Sequence, residues 1–299
     1  MRVQDLLGSS PFVALGMAIG RLTPAPFAYW LARRIARGMA RNERQMFVTL
    51  RANLSRVVPE ATGEELDAMA ERAIAHAGRT YFDMFHSSIK DYVSGRARVR
   101  IDPQELQMAL DTCHSDRGTI VVGPHTSNFD LAAQWLVAQG IEVQALSLAA
   151  PNAGTRRLNT LRGSRGLEMT PIDMASLRTA MERLRAGGSV LTGVDRVASR
   201  KDPLLPFFGE PAPMPTGHIR LAVQTDARIL VTYCLQDPDG WYHISFREPL
   251  EMEKRATRDE TVRHNALRVL AIIEEVIRSK PEQWLMFVPV WDEPAVESA

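Results

Sequence analysis

From residue 119 onward, short strand-like runs, the first of them β-branched, alternate with stretches of helical spacing, and that alternation leaves few folds open. Runs at 119–123, 142–148, 168–172 and 189–194 read as strands. Helices are expected between them over 128–138, 153–165 and 174–186, then over 216–225 and 258–279. Strands alternating with helices imply crossover connections and therefore a parallel sheet. Two later strands, 228–235 and 241–247, meet at Pro238-Asp239-Gly240 and read as an antiparallel hairpin. Upstream, Leu66, Met69, Ala73, Ala77, Tyr81 and Phe85 mark a long helix over 64–88, and Asp102-Pro103 opens another over 104–113. The fold class expected is α/β: a mixed, largely parallel central sheet flanked by helices. Residues 61–299 form one such domain, preceded by a helical, membrane-facing segment over 1–60.

That first segment has its own chemistry. The apolar run 11–20 ends at Arg21 after about ten residues, too few to span a bilayer. A second apolar piece, 24–31, runs into Arg33, Arg34, Arg37, Arg41 and Arg44, with Glu43 the only acid among them. No small-residue cleavage site follows a basic start, so no signal peptide is read. Phe12, Phe27, Tyr29 and Trp30 beside dense cationic charge suit a helix lying in the headgroup region of an anionic membrane. A basic solvated helix packed on the fold is the plainer alternative.

Composition excludes several functions. A net charge of +1 provides no global field for nucleic acid. Cys113 and Cys234 are isolated, which argues for a reducing compartment and against a disulfide framework or zinc site. No phosphate-binding Gly-x4-Gly-Lys loop, dinucleotide Gly-x-Gly-x2-Gly or Gly-x-Ser-x-Gly elbow occurs.

The strongest chemical signal is His125-Thr-Ser-Asn-Phe-Asp130, where the first strand turns into its helix. Open α/β sheets bind ligands beyond the carboxyl ends of their strands. Ser127 or Asn128 is expected to cap the helix, with Asp130 in its first turn, close enough to orient His125. The same spacing recurs at His86 and Asp91 near a helix end, roughly 140° apart, and at His243 and Glu248 on opposite strand faces. Only His125 and Asp130 can share a site, although a structural histidine tied to a cap has the same pattern. Three other polar segments are candidates. Arg162, at a helix end, could reach a phosphate, a thioester oxygen or a carboxylate; Asp195-Arg196 follows the strand at 189–194 on the same edge as His125. Glu210, in the rigid loop Leu205-Pro-Phe-Phe-Gly-Glu-Pro211, needs a partner, and His125 or Arg162 would serve. Solvated helix ends and surface turns account for each of these separately.

Taken in order, these segments resemble the lipid A biosynthesis acyltransferase family, and especially its phosphatidylinositol mannoside acyltransferase relatives. The likeness rests on His125 to Asp130, Arg162 before Gly166-Leu167-Glu168, Asp195-Arg196, Phe207-Phe208-Gly209-Glu210-Pro211, Pro215-Thr216-Gly217 and Pro281-Glu282-Gln283-Trp284. It covers roughly residues 115–291. The resemblance implies acyl transfer from a thioester, acyl-CoA or acyl-carrier protein as co-substrate, to a hydroxyl of a membrane glycolipid or phospholipid. It implies His125 as general base, Asp130 as its motif partner, Glu210 as an acid pairing with the histidine, and Arg162 as a site arginine. Asp195 and Arg196 are expected to bind substrate. It also implies no metal and no other cofactor, and peripheral attachment to an anionic membrane surface at the cytoplasmic face of the plasma membrane. The Glu-Gly-Thr-Arg phosphate clamp of glycerol-phosphate acyltransferases is replaced by Thr192-Gly193-Val194-Asp195-Arg196, which disfavours a plain lysophosphatidate acceptor. A hydrolase using the same histidine on water, or a non-catalytic lipid-binding protein, would share most of this sequence.

Overall fold

The computed structural model describes residues 23–197 and 199–291. The run at 11–20, Phe12 and Arg21 lie outside the described residues. Helices α1 (Ala25–Arg41), α2 (Gln45–Val57), α3 (Gly63–His86) and α4 (Ile89–Val93) come first, followed by β1 (Val99–Ile101) and α5 (Pro103–Cys113). The alternating part is β2 (Thr119–Gly123), α6 (Phe129–Ala138), β3 (Val143–Ser147), α7 (Ala153–Gly163), β4 (Glu168–Pro171), α8 (Met174–Arg185) and β5 (Ser189–Gly193). A small hairpin, β6 (Leu204–Phe207) and β7 (Glu210–Pro213), precedes α9 (Gly217–Thr225), β8 (Arg228–Gln236), β9 (Tyr242–Phe246) and α10 (Arg258–Ser279).

Local chemistry sets most helix starts. Thr62 and Glu65 form a capping box on α3, and Thr257 and Glu260 do the same on α10. Asp102 accepts from the Gln104 and Glu105 amides at the start of α5, with Pro103 as the first helical residue. The expected cap on α6 is not formed: Asn128 holds the N-cap place without a side-chain bond, and Ser127 is turned elsewhere.

The seven strands run in the order β1-β9-β8-β2-β5-β3-β4. Every neighbouring pair is parallel except β8 with β9, the hairpin read from the sequence. The three-residue β1 is too short to carry a periodic signal, and its place beside β9 comes from tertiary pairing. Side chains alternate along β2: Ile120 and Val122 enter a core with Leu184 of α8, Ile219 of α9 and Ile273 of α10. Val121 enters the opposite core with Leu131 and Leu136 of α6 and Ala109 of α5. Full burial of each such aliphatic side chain contributes about 1.5–3 kcal/mol.

A third core unites the N-terminal helices, with Ala36, Phe47, Leu50, Leu54 and Ile74 buried together. Helix α1 approaches α3 closely: a Cβ added at Gly78 would lie 2.9 Å from the Ala32 methyl. Its other face carries exposed Phe27, Trp30, Leu31 and Ile35, whereas the Tyr29 hydroxyl turns inward to Asp83. Among the described residues no helix is long and apolar enough to cross a membrane.

The stretch read as a rigid loop around Glu210 is instead the β6–β7 hairpin, with Phe207 opposite Glu210. Phe208 and Gly209, at φ 52° and 82°, make the two-residue left-handed turn that such hairpins require. Phe208 tolerates it because Glu274 accepts its amide at 2.7 Å and the Arg278 guanidinium covers its ring at 4.7 Å.

Candidate active site

Two neighbouring strands deliver the two central residues. In the parallel β2–β5 pair Gly123 is opposite Gly193. His125 lies two residues beyond the first glycine and Asp195 two beyond the second, so the register sets them side by side. The contact is close: His125 Nδ1 is 2.6 Å from Asp195 Oδ1, and the His125 amide donates to Oδ2 at 2.8 Å. Trp284 Nε1 donates to the same Oδ2 at 2.7 Å. Asp195 is wholly buried, while a quarter of the His125 side chain remains open. Burial works to raise the Asp195 pKa, but the His125 charge and the hydrogen bonds from His125 and Trp284 outweigh it, leaving the carboxyl below its ordinary value. The ring also packs edge-on against Phe129 and lies directly over Gly193, where an added Cβ would come within 2.6 Å of Cε1.

The partner expected for the histidine differs from the one it has. Asp130 turns from His125 toward α7, where Arg162 donates through Nε and Nη2 at 2.9 Å each; Arg162 Nη1 donates to Asn159 at 3.1 Å. A planar guanidinium matches a carboxylate edge, and this pair is mostly buried, so Asp130 is committed to joining α6 to α7. Glu210 is likewise removed from His125. It sits on the hairpin and accepts from Arg56 Nη1 of α2 at 2.8 and 2.9 Å. Asp195, expected to face substrate, has its carboxylate enclosed by His125 and Trp284. Arg196, half-buried, follows it at the same edge.

The turn that carries His125 is held from below. Ser127 adopts φ 45°, and its hydroxyl lies 3.0 Å from His76 Nε2 on α3. Desolvation, with the Arg79 and Lys280 charges, pushes His76 down to about 3, so this imidazole is neutral and structural at physiological pH. A shallow opening lies between α3 and the turn, lined by Tyr81, Met84, Phe129 and Leu285 among others. Asp195, Trp284 and His76 hold His125 and its turn, and Arg56 holds Glu210; no local sequence pattern joins His76, Arg56 or Trp284 to the site. One signal was available for Asp195: Gly-Pro-His and Gly-Val-Asp end two strands at equal offsets.

A strand-end histidine beside a buried acid is chemistry shared by many enzymes, and comparison with known proteins narrows it. The model of the bacterial lipid A biosynthesis acyltransferase family matches residues 8–293. The chain belongs to that family. It is 27% identical over 282 residues to a phosphatidylinositol mannoside acyltransferase of Mycolicibacterium smegmatis, covering 93% of this chain and 90% of that one. A phosphatidylinositol mannoside acyltransferase of Mycobacterium tuberculosis is 29% identical over 199 residues, 64% of this chain and 62% of its own length. This acyltransferase is therefore an enzyme of glycolipid biosynthesis.

Proposed function

We propose that the protein transfers a fatty acyl group from an acyl thioester, acyl-CoA or acyl-carrier protein, to a hydroxyl of a membrane glycolipid, with His125 as general base. The observation that carries this reading is the 2.6 Å contact between His125 Nδ1 and a buried carboxylate, with part of the ring open. Asp195 selects the tautomer in which Nδ1 bears the proton, so Nε2 offers its lone pair to the acceptor hydroxyl. The hydroxyl oxygen attacks the thioester carbonyl while Nε2 takes its proton. The tetrahedral oxyanion then collapses, the C–S bond breaks, and the departing thiolate recovers the proton from the imidazolium. Asp195 stabilises that imidazolium while it lasts. Arg196 is the side chain we assign to substrate, because the N–H groups of Arg162 are directed to Asp130 and Asn159.

Attachment to an anionic membrane at its cytoplasmic face fits α1. Phe27, Trp30, Leu31 and Ile35 are exposed at helical spacing, next to exposed Arg33, Arg34, Arg37 and Arg41. A lipid acceptor and a long-chain donor reach a site most readily when its mouth meets the bilayer.

The test is thiol release from an acyl thioester with glycolipid vesicles, with acylated lipid followed by mass spectrometry. His125→Ala should lower turnover by about 10²–10⁴-fold in protein that circular dichroism shows to be folded. Wild-type turnover by a folded His125→Ala protein overturns the assignment.

A further inference from the structure

The Pro281-Glu282-Gln283-Trp284 segment contains no group that touches the reacting atoms, yet two backbone hydrogen bonds pair it with the histidine turn. The Ser127 amide donates to the Gln283 carbonyl at 2.8 Å, and the Leu285 amide donates to the His125 carbonyl at 2.8 Å. Between them Thr126 and Trp284 face each other as an antiparallel bridge. Gln283 is itself clamped to the end of β8, its side chain accepting from the Gln236 amide at 2.7 Å and donating to the Gln236 carbonyl at 2.6 Å. The strap therefore carries the position of the sheet to the His125 backbone. Its side chain does the rest: Trp284 is fully buried against Phe207, Phe208 and Trp291, with ring centres 6.2–6.4 Å apart, and its indole N–H is delivered to Asp195.

We propose that Trp284 is a positioning residue for acyl transfer, its indole N–H holding the Asp195 carboxylate so that Oδ1 alone meets the His125 ring. This rests on His125 acting as the base. A buried carboxylate can accept about four hydrogen bonds, and it must be anchored by donors other than the ring it orients. Oδ2 takes the Trp284 and His125 N–H groups, which leaves Oδ1 fixed toward Nδ1. Each donor also lowers the basicity of the carboxylate. Without the indole donor, Asp195 binds the imidazolium more tightly, and the ring must be brought to higher pH before its free nitrogen can act. The ionisable group bearing on Asp195 is His125. Arg278, over Phe208, is paired with Glu274 at 3.0 Å, and Arg162, 5.7 Å from the Phe129 ring centre, is paired with Asp130.

Trp284→Phe removes the N–H, and replacing Trp284 with 3-benzothienylalanine removes it while keeping the shape. Both are assayed for kcat and KM of thiol release with glycolipid vesicles across the acid limb of the pH profile, beside His125→Ala. The expected result is a fall in kcat of about 10–100-fold, comparable with loss of an outer-shell hydrogen-bond partner, with KM unchanged. The acid limb should move to higher pH and activity should partly return there. If the phenylalanine variant does not fold, the benzothienyl protein decides. Wild-type kcat in that protein, or a loss uniform across pH, overturns the positioning role. An active His125→Ala protein defeats the base reading instead, and a dead one beside normal Trp284 variants defeats this inference alone.

Discussion

A single methyl group at Gly193 should silence this enzyme while leaving it folded. The ring of His125 lies over that residue, and a Cβ there would be 2.6 Å from Cε1, 3.3 Å from Nε2 and 3.5 Å from Nδ1. Ordinary carbon–carbon contact begins near ~3.5 Å, so the ring must retreat by about 1 Å. Gly193 closes a strand and its φ is not positive, so alanine fits the backbone. The relief therefore falls on the histidine side chain, whose displacement stretches the 2.6 Å contact with Asp195 and moves Nε2 out of line. A misplacement of about 1 Å at a reacting group costs on the order of 10²-fold, about 2.7 kcal/mol of barrier. Gly193→Ala should accordingly lose about two decades in kcat while its melting temperature stays close to wild type. Thiol release with glycolipid acceptor and a thermal melt on the same preparation measure both. Wild-type kcat with an intact melt would show that the placement of this ring does not govern the rate, and the mechanism would fall with it.

Asp195→Asn should lower kcat by about 10²–10⁴-fold, because the amide can present an N–H to Nδ1 and trap the wrong tautomer; pre-steady-state thiol release checks it. The Asp195 carboxyl is held below its ordinary value in the folded protein, so it stabilises the fold above about pH 3.9 and that contribution is lost as pH falls through the folded value. Acid unfolding followed by circular dichroism should thus show a smaller loss of stability on acidification for Asp195→Asn than for wild type. Asp130→Asn leaves the Arg162 guanidinium buried without its counter-charge, and chemical denaturation should report a loss of about 3–5 kcal/mol. Replacing Arg33, Arg34, Arg37 and Arg41 with Gln should weaken co-sedimentation with anionic vesicles, with a reduced dependence on salt; unchanged sedimentation would remove the arginines from membrane attachment.

Residues 119–193 announce their fold because strand and helix periods are local properties: β-branched runs, helical spacing and capping boxes act within a few residues of one another. The same locality marks His125 as lying beyond a strand end, and the α9, β8, β9 and α10 boundaries read almost as they are built. What surrounds the histidine is a matter of neighbours. Asp130, five residues away, is the nearest acid along the chain, but α6 carries it toward Arg162. Asp195, seventy residues away, becomes the partner because β5, not β3, lies against β2, and because Gly123 and Gly193 are in register. Strand order depends on which helices cross which face, and no residue pattern within one strand encodes it. Glu210 is similar: His125 or Arg162 is its expected partner, but the packing of α2 beside the hairpin makes it Arg56. Trp284 shows the limit most plainly, since its indole reaches Asp195 across 89 residues and its hydrogen bond exists only once three distant segments have packed. The sequence by itself determined the alternating elements and the place of His125 just beyond the end of β2. Tertiary structure alone decided which carboxylate serves that histidine, because hydrogen bonds act over about 3 Å and chain distance sets no such limit.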